Sequence, residues 1–193
     1  MKDLYISRRQ VLHGAGAVGL LGALAIPTTV FAKKGDDEDR AGHMNLHFAA
    51  LSTAASTGAK GVVLMAGDGR FTSSHIQGHG IYQHIDPTTQ KPNTILHAGT
   101  WKTTNLVSFT SIGTYGVQAS GILTMKVDLV QDIPSPAVMP ATLTVVCNIP
   151  FAPFVTGRDE GFSLDAPFGS FVPETPAVGI TIFSTVNEES KGH

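Results

Sequence analysis

The chain has 193 residues, 42% of them hydrophobic and 15% charged, with a formal net charge of −2. That length and apolar content suit one domain with a real core, and exclude a disordered or staple-dependent chain. The near-neutral balance, without a basic run or an aromatic-basic stripe, leaves no electrostatic footprint for nucleic acid.

The first thirty residues form a separate object. "SRRQVL" carries the paired Arg8 and Arg9, and a Gly/Ala-rich apolar run follows from Val11 to Ile26. Pro27 breaks the run, and Val30 and Ala32 supply the small or aliphatic residues of a cleavage site. The segment resembles a bacterial twin-arginine (Tat) signal peptide. The run is short for a bilayer, which needs about 20 apolar residues, and it holds His13. The resemblance implies residues 1–32 as a cleaved signal, export to the periplasm or beyond, and no transmembrane span in the mature chain. That chain would carry ten basic and fourteen acidic residues, a net charge of −4. Tat substrates cross already folded, some because a cofactor is inserted beforehand.

Residues 33–42, "KKGDDEDRAG", read as a charged disordered leader, and 187–193 as a solvated tail. The domain therefore spans 43–186. "NLHFAALSTAAS" fits a short helix or a first strand. "KGVVLMAG" is a strand closed by "GDG", with Asp68 in a tight turn. "FTSSHIQGHGIYQHI" alternates around glycines, and "DPTTQKPN" is a loop. "TWKTTNLVSFTSI" sets Trp101, Thr103, Asn105, Val107 and Phe109 on one face and Leu106 on the other. "GTYG" turns the chain. "VQASGILTMKVDLV" puts Val117, Ala119, Leu123, Met125, Val127 and Leu129 on one face, a half-buried antiparallel strand. "IPSPAVMP" is excluded from strand interiors by its prolines. "ATLTVVCNI" and "VGITIFSTV" are strands, and the Pro/Gly-rich, aromatic stretch between them is long loops around one or two short strands. Six to nine strands without a βαβ rhythm predict an all-β, single-domain antiparallel barrel or sandwich. "GTW" at 99–101 resembles the G-x-W signature of lipocalins, although there it opens the first strand; the resemblance implies an antiparallel barrel.

Cys147 is the only cysteine, which excludes an intramolecular disulfide, and its alternation with Leu143 and Val145 places it in the core. "GRDEGF" reads as a solvated turn in which Asp159 and Glu160 point apart. Six of the eight histidines, at 43, 47, 75, 79, 84 and 97, fall in one stretch. Alternation puts His75, Gln77 and His79 on one strand face and Tyr82 and His84 on the other. As polar teeth of a strand they need no further role. As ligands for Cu or Zn, His75 and His79 form the core, with His43, His47 and His97 as partners.

No G-x-S-x-G, H-E-x-x-H, P-loop, C-x-x-C-H or Rossmann pattern is present. The leading reading is an exported, non-enzymatic β protein binding a small ligand or another exported protein. Phe151, Phe154, Phe162, Phe168 and Phe171 would cap a barrel end or line its mouth. The rival is a small barrel enzyme, an isomerase or cyclase, drawing on Tyr82, His84, Asp86 and Tyr115. A His-based Cu/Zn protein is the third reading.

Overall fold

The structure, a computed structural model, describes residues 43–55, 59–88, 94–149 and 154–185. The signal, leader and tail segments lie outside these residues, as does Phe151. Eight strands follow in chain order: β1 (Met44–Ala54), β2 (Val62–Phe71), β3 (Ile76–Asp86), β4 (Thr94–Tyr115), β5 (Gln118–Ile133), β6 (Ala137–Cys147), β7 (Gly161–Ala166) and β8 (Gly169–Thr185). Each pairs antiparallel with its neighbours, and β8 returns to β1, closing one sheet into a barrel. Closure removes the free edges of an open sheet and is the all-β outcome expected from the sequence.

Period two wins in the segment that fits helix or strand alike. Leu46, Phe48 and Ala50 of β1 point inward, and His47 points out. The interior is filled. Trp101, Tyr82, Phe48, Phe71, Phe162, Phe171 and Phe183 are all 0–1% exposed, packed with Leu123, Met125 and Leu143. The outer wall carries His47, Asp68, His79, Lys102 and Asp128, the reverse of the apolar outside and polar inside of a membrane-spanning barrel. No helix among the described residues is long and apolar enough to cross a membrane.

Several local expectations change. "GDG" is no turn: β2 runs straight through it, and Asp68 faces outward in mid-strand. Its glycines serve packing, because a Cβ on Gly67 would overlap the Trp101 ring. Pro140 lies inside β6, paired with Asp128. It stands beyond Thr142, the last β6 residue matched to β7, so its missing N–H leaves no bond unmade on that side. The chain turns at 116–117 rather than along "GTYG", which leaves Val117 half exposed in the turn. Along β4 the simple alternation fails. Register shifts between Thr103/Asn105, Leu106/Ser108 and Ser111/Gly113 bring Leu106 and Phe109 to the core side and leave Val107 51% exposed. The aromatic loop region forms a β7–β8 hairpin. In "GRDEGF" each carboxylate is bonded to β8: Thr175 donates to Asp159 at 3.1 Å and Thr181 to Glu160 at 2.9 Å.

The bulges bend the β4–β5 hairpin over one end of the barrel. There Phe109 meets Phe71 at 4.8 Å and Phe183 at 5.7 Å between ring centroids, and Gln118 and Ala119 pair with β8. The other end is closed by side chains from β3, β4, β5 and β8 and from the β7–β8 turn.

Candidate site at one end of the barrel

The second end gathers polar residues from separate parts of the chain. Tyr82 and His84 are successive inward positions of β3, and register places His97 of β4 beside His84. The two imidazoles stack at 5.3 Å and 9°. Phe168, in the two-residue turn between Ala166 and Gly169, lies against both, 4.9 Å from His84 and 4.6 Å from His97. Phe171 meets His84 edge-on at 5.1 Å.

Hydrogen bonds to carbonyl oxygens fix both tautomers. His84 Nε2–H donates to the Lys60 carbonyl at 2.6 Å, so its Nδ1 carries the lone pair in the neutral ring. Gln131 Nε2 donates to the Ser135 carbonyl at 2.7 Å, which turns Gln131 Oε1 towards His97 Nδ1 at 2.6 Å. His97 Nδ1 is therefore the donor, and its Nε2 carries the lone pair in the neutral ring.

Two buried polar atoms at this end have no partner among the described residues: Tyr82 Oη and His84 Nδ1. Burial pushes the His84 imidazole below its ordinary value, and neighbouring His97 adds to this, against the bond to Lys60 and the charge of Asp86. Burial, with Asp132 nearby, raises the Tyr82 phenol to about 12. At neutral pH the end therefore holds one unused proton acceptor and one unused proton donor. Asp86 sits at the rim, held below the usual carboxylate range by bonds from Thr88.

Of the four enzyme candidates, Tyr82, His84 and Asp86 share β3 at this end. Tyr115 does not: it is 69% exposed at the tip of the β4–β5 hairpin, over the opposite end. The metal candidates are dispersed. His75 and His79 are both exposed, but four steps of extended chain set their Cα atoms about 13 Å apart, and no third ligand converges on them among the described residues. His47 is bonded to Asp68, which stands between it and His79 in register. His43 borders a shallow groove with Arg70 and His75. His97 alone joins the end cluster. No group of three or more metal-ligating side chains converges among the described residues. The phenylalanines also divide: Phe162 is core, Phe154 covers Gly113 of the hairpin, and Phe168 and Phe171 close the histidine end.

Gln131 is the member that the sequence reading misses. Its signal is legible: it continues the inward row of β5, where a polar residue follows Leu123, Met125, Val127 and Leu129. To His84, Lys60 contributes its backbone carbonyl, which no side-chain pattern reports. Compared with known proteins, the chain matches no family model, no curated protein and no solved structure.

Proposed function

We propose that the chain is an exported, non-enzymatic barrel protein that binds a macromolecular partner through its outer surface, outside the cytoplasm. The observation that supports this is the distribution of apolar surface. Among the described residues, buried aromatic and aliphatic side chains fill the axis, which favours the outer surface over the interior as the place for a partner. Outside, one register row runs uncharged across seven strands. It passes from Ile180 through Ala49 and Ala66 to Ile81, and on through Thr100 and Val130 to Val138. Ile180, Ile81 and Val138 are 50%, 38% and 62% exposed. Beside it lies the row of His47, Asp68, His79, Lys102 and Asp128. An apolar strip with a charged margin has the anatomy of an interface core and rim. Export rests on the resemblance of "SRRQVL" to the Tat motif.

The test is site-specific photo-crosslinking in cells that export the protein. A crosslinker at Ile81 or Ile180 should give a discrete adduct in the exported fraction, and one at the interior Leu123 none. Adducts that do not depend on position would refute the reading.

One observation favours a second reading, a small-ligand or catalytic site at the histidine end: the unpartnered Tyr82 Oη and His84 Nδ1. It would be supported by a small molecule that raises the melting temperature of the wild type but not of Tyr82→Phe or His84→Gln.

A further inference from the structure

The two phenylalanine rings that cover His84 are held in different ways. Phe171 is 1% exposed and sits within β8, paired with Leu164 on one side and Ala54 on the other. It cannot leave without opening the sheet. Phe168 is only partly buried, in the two-residue turn that Ala166 and Gly169 close. Just behind this turn the hairpin is tied down. The Ser170 hydroxyl donates to Asp165 at 2.8 Å, and the Ala55 N–H donates to the Ser170 carbonyl at 2.9 Å. The turn can swing on that fixed base. It then loses the ring contacts of Phe168 with His84, His97 and Phe171, and the strand pairing behind it stays whole.

His84 needs that movement to take up a proton. It is 3% exposed, its Nε2–H is committed to the Lys60 carbonyl, and its Nδ1 is buried without a partner. A proton on Nδ1 makes the ring a cation with an N–H that meets no acceptor, and a buried charge without its hydrogen bonds is among the costliest groups in a fold. The surrounding groups do not supply the acceptor. On β3, Asp86 accepts from Thr88 and faces the Lys60 ammonium. On β4, the His97 ring stacks on His84 and repels a cation there once it is itself charged. On β5, Gln131 is tied to His97 and Ser135, and Asp132 lies near Tyr82. Val63, opposite His84 on β2, brings no charge, and neither do residues 166–169 of the turn. Asp86 and Asp132 favour a cation at this end, but neither bonds Nδ1.

We propose that the Phe168 turn is an acid-released cover: a proton on His84 Nδ1 and the closed turn exclude one another, so acid lifts the turn and uncovers Tyr82 and His84. The sign follows from which form binds the extra proton. Under the closed turn the imidazole is held below its ordinary value, and in the open form it regains about 6.5. As the pH falls below about 6.5 the open-to-closed ratio should rise by up to ~tenfold per unit, then level off under the closed-state value. The use of the opening rests on the second reading above, a ligand site at Tyr82 and His84. The opening itself needs no ligand and is measured without one, so either can fail while the other stands.

An NMR titration of the full chain between about pH 7.5 and 4.5, a range that brackets an ordinary imidazole, tests it. The amide signals of Phe168 and Gly169 should shift with the midpoint of the His84 ring, while those of Phe48 and Leu123, deep in the core, stay in place. In His84→Gln, whose side-chain amide can still donate to Lys60, the turn should keep its neutral-pH signals throughout. Should that variant not fold, Phe168→Ala decides: with the cover gone, the His84 midpoint should rise towards about 6.5. A turn that stays closed across the range, or a His84 ring that titrates beneath an unmoved turn, overturns the proposal. So do turn signals that shift equally in His84→Gln, core signals lost at the same midpoint, or a midpoint unchanged in Phe168→Ala.

Discussion

Trp101 lies flat across the glycine pair Gly67–Gly80. The two glycines are register partners on β2 and β3, Gly80 is also the register partner of Trp101, and the indole N–H donates to the Ala66 carbonyl at 3.1 Å. A Cβ at Gly80 would stand 2.6 Å from the indole nitrogen and closer still to the Ala66 carbonyl. The glycines are the floor on which the largest core side chain rests. Gly80→Ala should therefore destabilise the barrel by about 3 kcal/mol, the upper end of an ordinary overpacking cost. Urea unfolding of Gly80→Ala against Gly116→Ala, at a turn where a Cβ meets nothing within 4 Å and only the left-handed φ of +60° costs about 1 kcal/mol, makes the comparison. Equal losses would show that the indole does not depend on this floor.

Stability should fall with acid through His84. Its imidazole is held neutral in the fold, below the ordinary value of about 6.5 that it regains on unfolding. The unfolded chain then binds the extra proton. The contribution is complete above about pH 6.5, declines at up to ~1.4 kcal/mol per pH unit below it, and levels off under the folded value. Subtracting the stability–pH curve of His84→Gln from that of the wild type should isolate the decline. Parallel curves would mean that His84 is not buried as described.

Tyr82→Phe removes a buried hydroxyl that has no partner in the fold. Stability should be unchanged or rise by about 1 kcal/mol, since an unmade hydrogen bond is a cost. Chemical denaturation measures it. A clear loss would mean that Oη is bonded in solution, by a water or a ligand at the histidine end.

Cys147 is buried and its thiol donates to the Thr181 carbonyl at 3.3 Å. Burial pushes the thiol up, against bonds that pull it down. A thiol reagent should react slowly with the native protein and quickly after denaturation. Cys147→Ser keeps the acceptor for its hydroxyl, so the cost should sit near 1 kcal/mol rather than at the full penalty of an unpaired group. Equal labelling rates in both states would contradict the core placement.

Arg8→Lys with Arg9→Lys should abolish export while leaving folded protein in the cytoplasm. Fractionation of expressing cells reads this out, and undiminished export would end the twin-arginine interpretation.

Much of the barrel was legible in the sequence because strand burial writes a period of two. β5 and β6 show it plainly, and Cys147 follows from it. The errors share one cause, the reading of glycine and proline as punctuation. Gly67 and Gly69 suggested a turn around Asp68, yet Gly67 is dictated by Trp101, which lies far along the chain. Pro140 suggested a break, yet β7 is too short to need its N–H. The two bulges that surround Leu106 and Val107 reverse the face of β4 without leaving any compositional mark. The site divides in the same way. Tyr82 and His84 could be paired by spacing, and Gln131 could have been added from its row. The approach of His97 and Phe168 is set by strand register and by a hairpin turn, which only the closed barrel reveals.

The pairing of Met44 with Thr185 joins the first described strand to the last. Until β8 has left the ribosome the sheet has no closing partner for β1, and both outer strands of the growing barrel are open to any passing chain. Contacts of such long range also form slowly. A transporter that threads an extended chain would deliver this protein in its most vulnerable form, with closure still to come in a compartment lacking ATP-driven chaperones. A route that carries finished proteins delivers it with those two edges already joined. The position of the seam is thus a physical reason to expect export of the folded barrel, the route that the proposed twin-arginine reading requires.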